Sequence, residues 1–142
     1  MNEMKIKLVQ NGKMPVRMTG GACAFDCWAR AYDPIPEFRQ IRYWLGFSLE
    51  VPEGFSALIL PRSSICRTSM RMTNGVGLID RDYRGEVSAV FDVVGEGNLL
   101  YGIGERVAQM LIVPAPLFQL EQVDELSATD RGEGGYGSTK NR

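Results

Sequence analysis

Short runs in which apolar and polar residues alternate recur along the chain, and they predict β-strands. Residues 47–51 alternate Phe, Leu and Val with Ser and Glu, and a Pro-Glu-Gly turn follows. Three further runs are rich in β-branched and aromatic residues, and they span residues 55–61, 87–94 and 106–113. In the second run both alternating faces are largely apolar, which is typical of a strand packed between two layers.

Turn signals recur about every ten residues, at Asp33-Pro34, Asn74-Gly75, residues 95–98 and residues 102–104. Many short strands at this spacing predict an all-β fold, a jelly-roll-like β-barrel or β-sandwich. We expect at most one short helix, within Ser63–Met72, with Ser63 or Ser64 as its N-cap.

The end of the chain differs from the rest in composition. Residues 129–142 are almost devoid of apolar side chains, and residues 132–137 contain four glycines. Such a segment cannot bury enough apolar surface to order itself. We therefore expect a β core over residues 1–128 and a flexible arm over residues 129–142, with no linker between two domains.

Composition and charge exclude several classes of function. A chain of 142 residues with 44% hydrophobic content fits one globular domain, and its net charge of −1 provides no basic field for nucleic acid. No apolar run approaches the ~18 residues that cross a bilayer. The first residues lack the apolar core of a signal peptide. We expect a cytoplasmic protein that binds neither nucleic acid nor membrane.

The chain contains no histidine and three cysteines, at positions 23, 27 and 66. Histidine is the usual base in serine and cysteine nucleophile chemistry, so catalysis would depend on carboxylates, arginines, hydroxyls, backbone groups or a metal. Three thiols without a closing motif make a poor zinc site, and we expect ordinary buried thiols.

An Asn-Gly turn at residues 74–75 precedes two carboxylates and a ring, Asp80, Asp82 and Tyr83. Asn-Gly together with Gly77 favours a tight hairpin whose backbone is open to a ligand. The segment alone is equally compatible with a polar turn that carries solvated acids.

Two other segments have groups that suit an anion. Pro61-Arg62-Ser63-Ser64 combines a guanidinium, two hydroxyls and the free N–H groups of a helical turn, although for an isolated Arg-Ser-Ser simple N-capping beside a surface arginine is the better explanation. The glycine-rich arm has Arg131 and Tyr136, which could wrap anionic oxygens and stack on a base. Composition alone favours a disordered tail.

Taken in order, five segments resemble the five motifs of the trimeric dUTPase family. They are Gly-Gly-Ala-Cys-Ala-Phe-Asp at 20–26, Pro-Arg-Ser-Ser at 61–64, Gly-Leu-Ile-Asp-Arg-Asp-Tyr-Arg-Gly at 77–85, Gly-Glu-Arg-Val-Ala-Gln at 104–109 and Arg-Gly-Glu-Gly-Gly-Tyr-Gly-Ser-Thr at 131–139. The first motif departs from the family, because Ala24 replaces a glycine and Cys27 a leucine. Asp26 is retained. Residues 31–44 also match the family poorly.

The resemblance implies an enzyme that hydrolyses dUTP to dUMP and pyrophosphate, which keeps uracil out of DNA and supplies dUMP for dTMP synthesis. It further implies the dUTPase fold, a homotrimer with active sites shared between subunits, and Mg²⁺ as cofactor. Carried over, Asp80 would accept a proton from the water that attacks the α-phosphorus, and Gln109 would orient that water. Asp26 would position the Mg²⁺, through water.

The same resemblance assigns residues to the substrate. Uracil would be read by the hairpin, at Asn74, Gly77, Leu78 and Ile79, and Tyr83 would lie beneath the deoxyribose. Phosphate oxygens would be held by Arg62, Ser63 and Ser64, and the terminal phosphates by Arg131, Gly137 and Ser138 of the closing arm. Tyr136 would stack on the uracil.

Two alternatives remain open. The dCTP deaminase branch of the same fold shares an Arg-Ser-Ser-like motif but lacks the Gly-Leu-Ile-Asp-x-Asp-Tyr-x-Gly segment and the full glycine-rich arm. A dUTPase-like nucleotide-binding regulatory protein is the other alternative, because a fold can acquire partner binding.

Overall fold

The computed structural model of the chain describes residues 3–138. It contains ten strands: β1 (Lys5–Leu8), β2 (Phe25–Trp28), β3 (Ala31–Ile35), β4 (Gln40–Trp44), β5 (Phe47–Glu50), β6 (Phe55–Pro61), β7 (Met70–Met72), β8 (Gly77–Ile79), β9 (Ser88–Val93) and β10 (Arg106–Pro114). The predicted all-β fold is confirmed. Among the described residues no helix is long and apolar enough to cross a membrane.

Two four-stranded antiparallel sheets face each other. One has the strand order β2-β10-β6-β8 and the other the order β3-β4-β9-β7, while β1 and β5 form a separate pair. Alternate residues are buried in the middle of β6, at Ala57 and Ile59, and of β9, at Ala89 and Phe91. These inward faces form a single hydrophobic core between the sheets.

The predicted helix within residues 63–72 is a 3₁₀ helix over Ser63–Arg67, after which the chain enters β7. Its N-cap is Arg62, with no capping side chain, so the expected cap at Ser63 or Ser64 is wrong. Both serines lie inside the turn, and the Ser64 hydroxyl contacts Arg62 and Tyr101 instead of capping it. A second 3₁₀ helix, Pro36–Phe38, begins with proline at its first turn, where the fixed φ angle is favourable.

Two turn predictions differ from the structure. Asp33-Pro34 lies inside β3, which tolerates a proline because β3 is at the edge of its sheet. Asn74-Gly75 does form a turn, with Gly75 at φ +66°. It joins β7 to β8, and these strands pair with β9 and β6 respectively, so the segment passes from one sheet to the other instead of closing a two-stranded hairpin.

The sequence predicted that all three cysteines are buried thiols, and this is wrong for two of them. Cys27 is fully buried on β2, whereas Cys23, before that strand, and Cys66, on the surface 3₁₀ helix, are exposed. Burial, with the nearby charge of Asp26, raises the pKa of Cys27 to about 12. The Cys27 thiol is therefore neutral at physiological pH and is neither a nucleophile nor a metal ligand in that form.

Candidate active site

The first cluster of polar groups forms where β6 ends. Arg62 is the last residue before the 3₁₀ helix, and its Nη1 donates to the hydroxyl of Ser64 at 3.1 Å and to the carbonyl of Arg106 at 3.0 Å. The Arg62 side chain is only 21% exposed. These contacts hold the guanidinium in one orientation at the end of the strand, next to the Ser64 hydroxyl.

Asp26 on β2 joins this cluster from the neighbouring strands. Its Oδ2 lies 2.9 Å from Nη1 of Arg106 and 3.5 Å from Nε of Arg62, and its side chain is 15% exposed. Two guanidinium groups around one carboxylate leave a net charge of +1 in the cluster (2 − 1). A partly buried site with this excess charge favours an anion.

Gln109 completes the cluster on β10. It pairs with Asp26 of β2 on one side and with Leu60 of β6 on the other, and its Nε2 donates to the carbonyl of Pro61 at 2.9 Å. The strand register shifts between Arg106 and Ala108, and such a bulge re-aims a side chain. Arg106 and Gln109 are thereby both placed beside Asp26.

Asp26 is the predicted metal-positioning residue, and its surroundings allow an indirect role. Both of its ion pairs use Oδ2, which leaves Oδ1 outside these two contacts. Within residues 3–138 no cluster of three potential metal ligands occurs. Mg²⁺ commonly keeps several waters and binds one or two carboxylates together with substrate phosphates. A single carboxylate beside an anion site fits that kind of coordination.

The second cluster follows β8, where Asp80 is exposed. The amide of Tyr83 donates to the carbonyl of Asp80 at 3.2 Å, which closes a turn between them. The Tyr83 hydroxyl donates to the carbonyl of Glu86 at 3.0 Å, and its ring covers Gly85 so closely that a Cβ there would lie 2.4 Å from the hydroxyl oxygen. Glycine at position 85 thus permits the ring position.

A cavity of about 160 Å³ lies against this turn. It is lined by Leu78, Ile79, Asp80, Tyr83, Val87 and Ser88. Four predicted site residues, Leu78, Ile79, Asp80 and Tyr83, therefore share one cavity. Gly77 begins the same strand, β8, and pairs with Ile59 of β6. A Cβ at Gly77 would lie 3.6 Å from the side-chain amide nitrogen of Asn74.

The two clusters lie apart on the same sheet. Ile79 pairs with Ala57, so Asp80 lies beside the start of β6, whereas Arg62 follows the end of that strand. Six residues of extended strand separate the position on β6 beside Asp80 from Arg62, which corresponds to about 20 Å. One subunit therefore does not bring Asp80 together with Arg62.

The arm residues form a third group. The hydrogen bonds that involve residues 129–138 all join parts of the arm to one another, including Arg131 Nε to the carbonyl of Gly134 at 2.9 Å and the Ser138 amide to the carbonyl of Gly135 at 3.0 Å. Tyr136 is fully exposed. The structure does not bring Arg131, Tyr136, Gly137 or Ser138 to either cluster, and Thr139 lies outside the described residues.

Two residues of the first cluster were not singled out from the sequence. Arg106 lies inside the fourth motif, so its arginine could have been assigned as the partner of Asp26. Tyr101 had no such signal, because it lies in a loop outside every motif. Its hydroxyl is 2.9 Å from Ser64 Oγ.

Comparison with known proteins identifies relatives over nearly the whole chain. A family model described as dUTPase matches residues 10–140. The deoxyuridine 5'-triphosphate nucleotidohydrolase of Hydrogenobaculum sp. (strain Y04AAS1) is 35% identical over 135 residues, which are 94% of this chain and 94% of that protein.

Solved structures with the same fold include phage enzymes. A mutant dUTPase of Staphylococcus bacteriophage 80alpha with dUpNHpp has a TM-score of 0.83 and 23% identity, covering 97% of this chain and 98% of that chain. A mutant dUTPase from phage phi11 of S. aureus, described as coordinating a structural Mg(II) ion, has a TM-score of 0.71 and 22% identity, covering 87% of this chain and 98% of that chain.

Proposed function

The chain belongs to the dUTPase family, and we propose that it is a dUTP diphosphatase, which hydrolyses dUTP to dUMP and pyrophosphate. The observation that carries the proposal is the arginine-rich cluster at the end of β6, where Arg62 and Arg106 share the single carboxylate of Asp26 and Arg62 also donates to Ser64. This reaction removes a precursor of uracil in DNA and supplies dUMP for dTMP synthesis.

The first cluster is the phosphate site of the proposed enzyme. Arg62 is held in place by Ser64 and by the Arg106 carbonyl, so its planar guanidinium is pre-oriented toward phosphate oxygens. Ser63 and Ser64 add hydroxyls at the same strand end. The excess positive charge stabilises the negative charge that builds up on the leaving pyrophosphate.

Asp80 acts as the base that takes a proton from the attacking water. A carboxylate suits this role in a chain without histidine, and Asp80 is exposed at the edge of a cavity, with no ion pair to any residue within 3–138. Gln109 orients the water or an α-phosphate oxygen. Its amide carbonyl is available for this, because the Pro61 contact uses only Nε2.

Each active site is shared between subunits of a homotrimer. The support is the separation of about 20 Å between Asp80 and Arg62 along β6, which is too long for both residues to act on one α-phosphorus within one subunit. Exposed apolar side chains on the segment that leaves β10 also need a covering surface. They are Leu117, Phe118, Leu120 and Leu126.

The nucleoside occupies the cavity beside the second cluster. The backbone of Gly77, Leu78 and Ile79, with the Asn74 side chain, reads the uracil edge, and cytosine would leave a buried polar group unpaired there. Tyr83 lies beneath the deoxyribose, and its hydroxyl is already fixed by the Glu86 carbonyl. A rigid ring in that position leaves no room for a 2′-hydroxyl.

Mg²⁺ is the proposed cofactor, and it would neutralise phosphate charge while the triphosphate supplies its direct ligands. Asp26 would position it through water.

The arm over residues 129–142 is a separate functional unit that closes over the loaded site: Arg131, Gly137 and Ser138 would bind the terminal phosphates, and Tyr136 would stack on the uracil. Closure excludes water from the reacting groups.

The proposal is tested by assaying pyrophosphate and ammonia release across the deoxynucleoside triphosphates, with and without Mg²⁺. Pyrophosphate release from dUTP, far above that from dCTP and dependent on Mg²⁺, is the expected result. Ammonia release from dCTP would instead support the deaminase alternative. Binding of dUTP without turnover would support a regulatory protein.

A further inference from the structure

Tyr101 is anchored to the hydrophobic core from two sides. It lies in the loop between β9 and β10, and its carbonyl accepts a hydrogen bond from the Tyr43 hydroxyl at 2.8 Å. Its ring contacts those of Tyr43 and Phe91 edge-on, with centroids 6.4 and 6.3 Å apart. Because backbone and ring are both fixed, the position of the phenolic oxygen is fixed as well.

That oxygen points away from the aromatic cluster and lies 2.9 Å from Ser64 Oγ. The same Oγ accepts a hydrogen bond from Arg62 Nη1. A serine hydroxyl has one proton to donate and two lone pairs to accept with. When Tyr101 donates to Ser64 Oγ, both lone pairs of that oxygen accept hydrogen bonds, one from Tyr101 and one from Arg62. The Ser64 proton then points away from both residues.

We propose that Tyr101 is a positioning residue, which orients the Ser64 hydroxyl so that its proton is presented to a phosphate oxygen of the substrate. The inference rests on the proposed function, since it takes Ser64 as part of the phosphate site. A chain of donors from Tyr101 through Ser64 to an anionic oxygen is cooperative, because each hydrogen bond polarises the next.

A purely structural role does not require the hydroxyl. The edge contacts with Tyr43 and Phe91 involve the ring, and the hydrogen bond from Tyr43 ends on the backbone carbonyl. Phenylalanine at position 101 would keep all of these. The hydroxyl makes its contact with Ser64, so its removal isolates the proposed function of the side chain.

The test is Tyr101→Phe, measured for kcat/KM with dUTP, for affinity toward inorganic pyrophosphate and for thermal unfolding. Loss of one neutral hydrogen bond predicts a drop of about threefold to tenfold in kcat/KM, with a similar loss of pyrophosphate affinity and an unfolding midpoint no lower than that of Tyr43→Phe, which also loses one neutral hydrogen bond. Ser64→Ala should lower both quantities further. The double variant should match Ser64→Ala alone, because Tyr101 acts through Ser64.

Tyr43→Phe is the matched control. It also deletes one phenolic hydroxyl from the aromatic cluster, but that hydroxyl contacts the Tyr101 carbonyl and Met70, not Ser64. We expect a lower unfolding midpoint but a smaller loss of kcat/KM than in Tyr101→Phe, because the ring contacts still hold Tyr101 and its hydroxyl still reaches Ser64.

The outcomes separate the two hypotheses. A wild-type protein that does not hydrolyse dUTP contradicts the proposed function, and the pyrophosphate affinities of the variants still test Tyr101. Wild-type kcat/KM and pyrophosphate affinity in Tyr101→Phe, or additive losses in the double variant, would overturn the inference. If Tyr101→Phe does not fold, Tyr101→Met, which also lacks the hydroxyl, takes its place with the same expected losses.

Discussion

Asp80 and Asp26 are carboxylates on the same sheet, yet their surroundings assign them different chemistry. Asp26 is 15% exposed and paired with two arginines, so it is a fixed negative charge within a positive cluster. Asp80 is exposed beside a cavity, with no ion pair to Arg81 or Arg84 among the described contacts. This difference supports Asp80, and not Asp26, as the proposed base.

Asp80→Asn should therefore abolish turnover without unfolding the protein. The amide keeps the shape of the side chain but cannot accept the proton, and loss of a general base costs about 10²- to 10⁴-fold in kcat. Steady-state kinetics together with dUpNHpp binding measure the effect, and the affinity should remain. The control is Asp82→Asn, two residues away with the same change in charge. Comparable losses in both variants would contradict the assignment.

Cys27 makes a prediction about stability at alkaline pH. Burial raises the pKa of its thiol from 9.0 to about 12, so between these values the unfolded chain loses a proton that the folded chain retains. Stability is thus fully present below pH 9 and falls as the pH rises toward 12. Tyr43, whose pKa burial raises to about 12, contributes in the same direction.

The measurement is the free energy of unfolding in denaturant at several pH values between 9 and 11. Cys27→Ala lowers stability at every pH through the lost packing, but its slope with pH should be shallower by up to about 1.4 kcal/mol per pH unit, the contribution of one proton. Parallel slopes for the wild type and the variant would contradict the buried, neutral thiol.

At the scale of elements, local pattern predicted the strands well where burial itself is local. Residues 55–61 and 106–113 became β6 and β10 almost to the residue, because their alternating side chains face the core. The prediction of a turn at Asp33-Pro34 was wrong, because from sequence alone a proline inside an edge strand cannot be told from a proline in a turn. Edge position depends on which strands pair, and that information is not local.

The same limit applies to the site. Motif resemblance located Arg62, Gln109 and Asp80, but the bond between Tyr101 and Ser64 joins a loop to a distant 3₁₀ helix, and no sequence spacing predicts it. The separation of Asp80 from Arg62 likewise follows from the register of β8 on β6. Register is set by tertiary packing and by turn geometry.

Removal of the glycine-rich arm should impair turnover but not folding. Ending the chain at Asp130 removes Arg131, Tyr136 and Ser138 but no residue of the core, so the unfolding midpoint should remain and most of kcat should be lost. Kinetics and thermal unfolding of the truncated chain test this. In the full chain, Tyr136→Phe keeps the stacking ring and should retain near wild-type activity, whereas Tyr136→Ala should not. Normal turnover by the truncated chain would exclude a closing role.

On the scale of the whole molecule, the sandwich places the proposed base, Asp80, and the proposed phosphate-binding residue, Arg62, at different levels of one sheet. The sheet is rigid, because β6 is hydrogen-bonded to β10 over seven residue pairs and also to β8. Gln109 pairs with Leu60 near the end of β6, whereas Asp80 lies beside the start of that strand, so the two side chains lie at opposite ends of β6 within one subunit. The proposed homotrimer is the arrangement that would unite them.

The most direct test of active sites shared between subunits is complementation between Asp80→Asn and Gln109→Ala. Each variant alone should be nearly inactive. When they are co-expressed or refolded together in equal amounts, random assortment should give about a quarter of the sites an intact Asp80 from one subunit and an intact Gln109 from another. Active sites shared between subunits should therefore recover about that fraction of wild-type dUTP hydrolysis. Activity no higher than the average of the two separate variants, in trimers shown to be mixed, would contradict it.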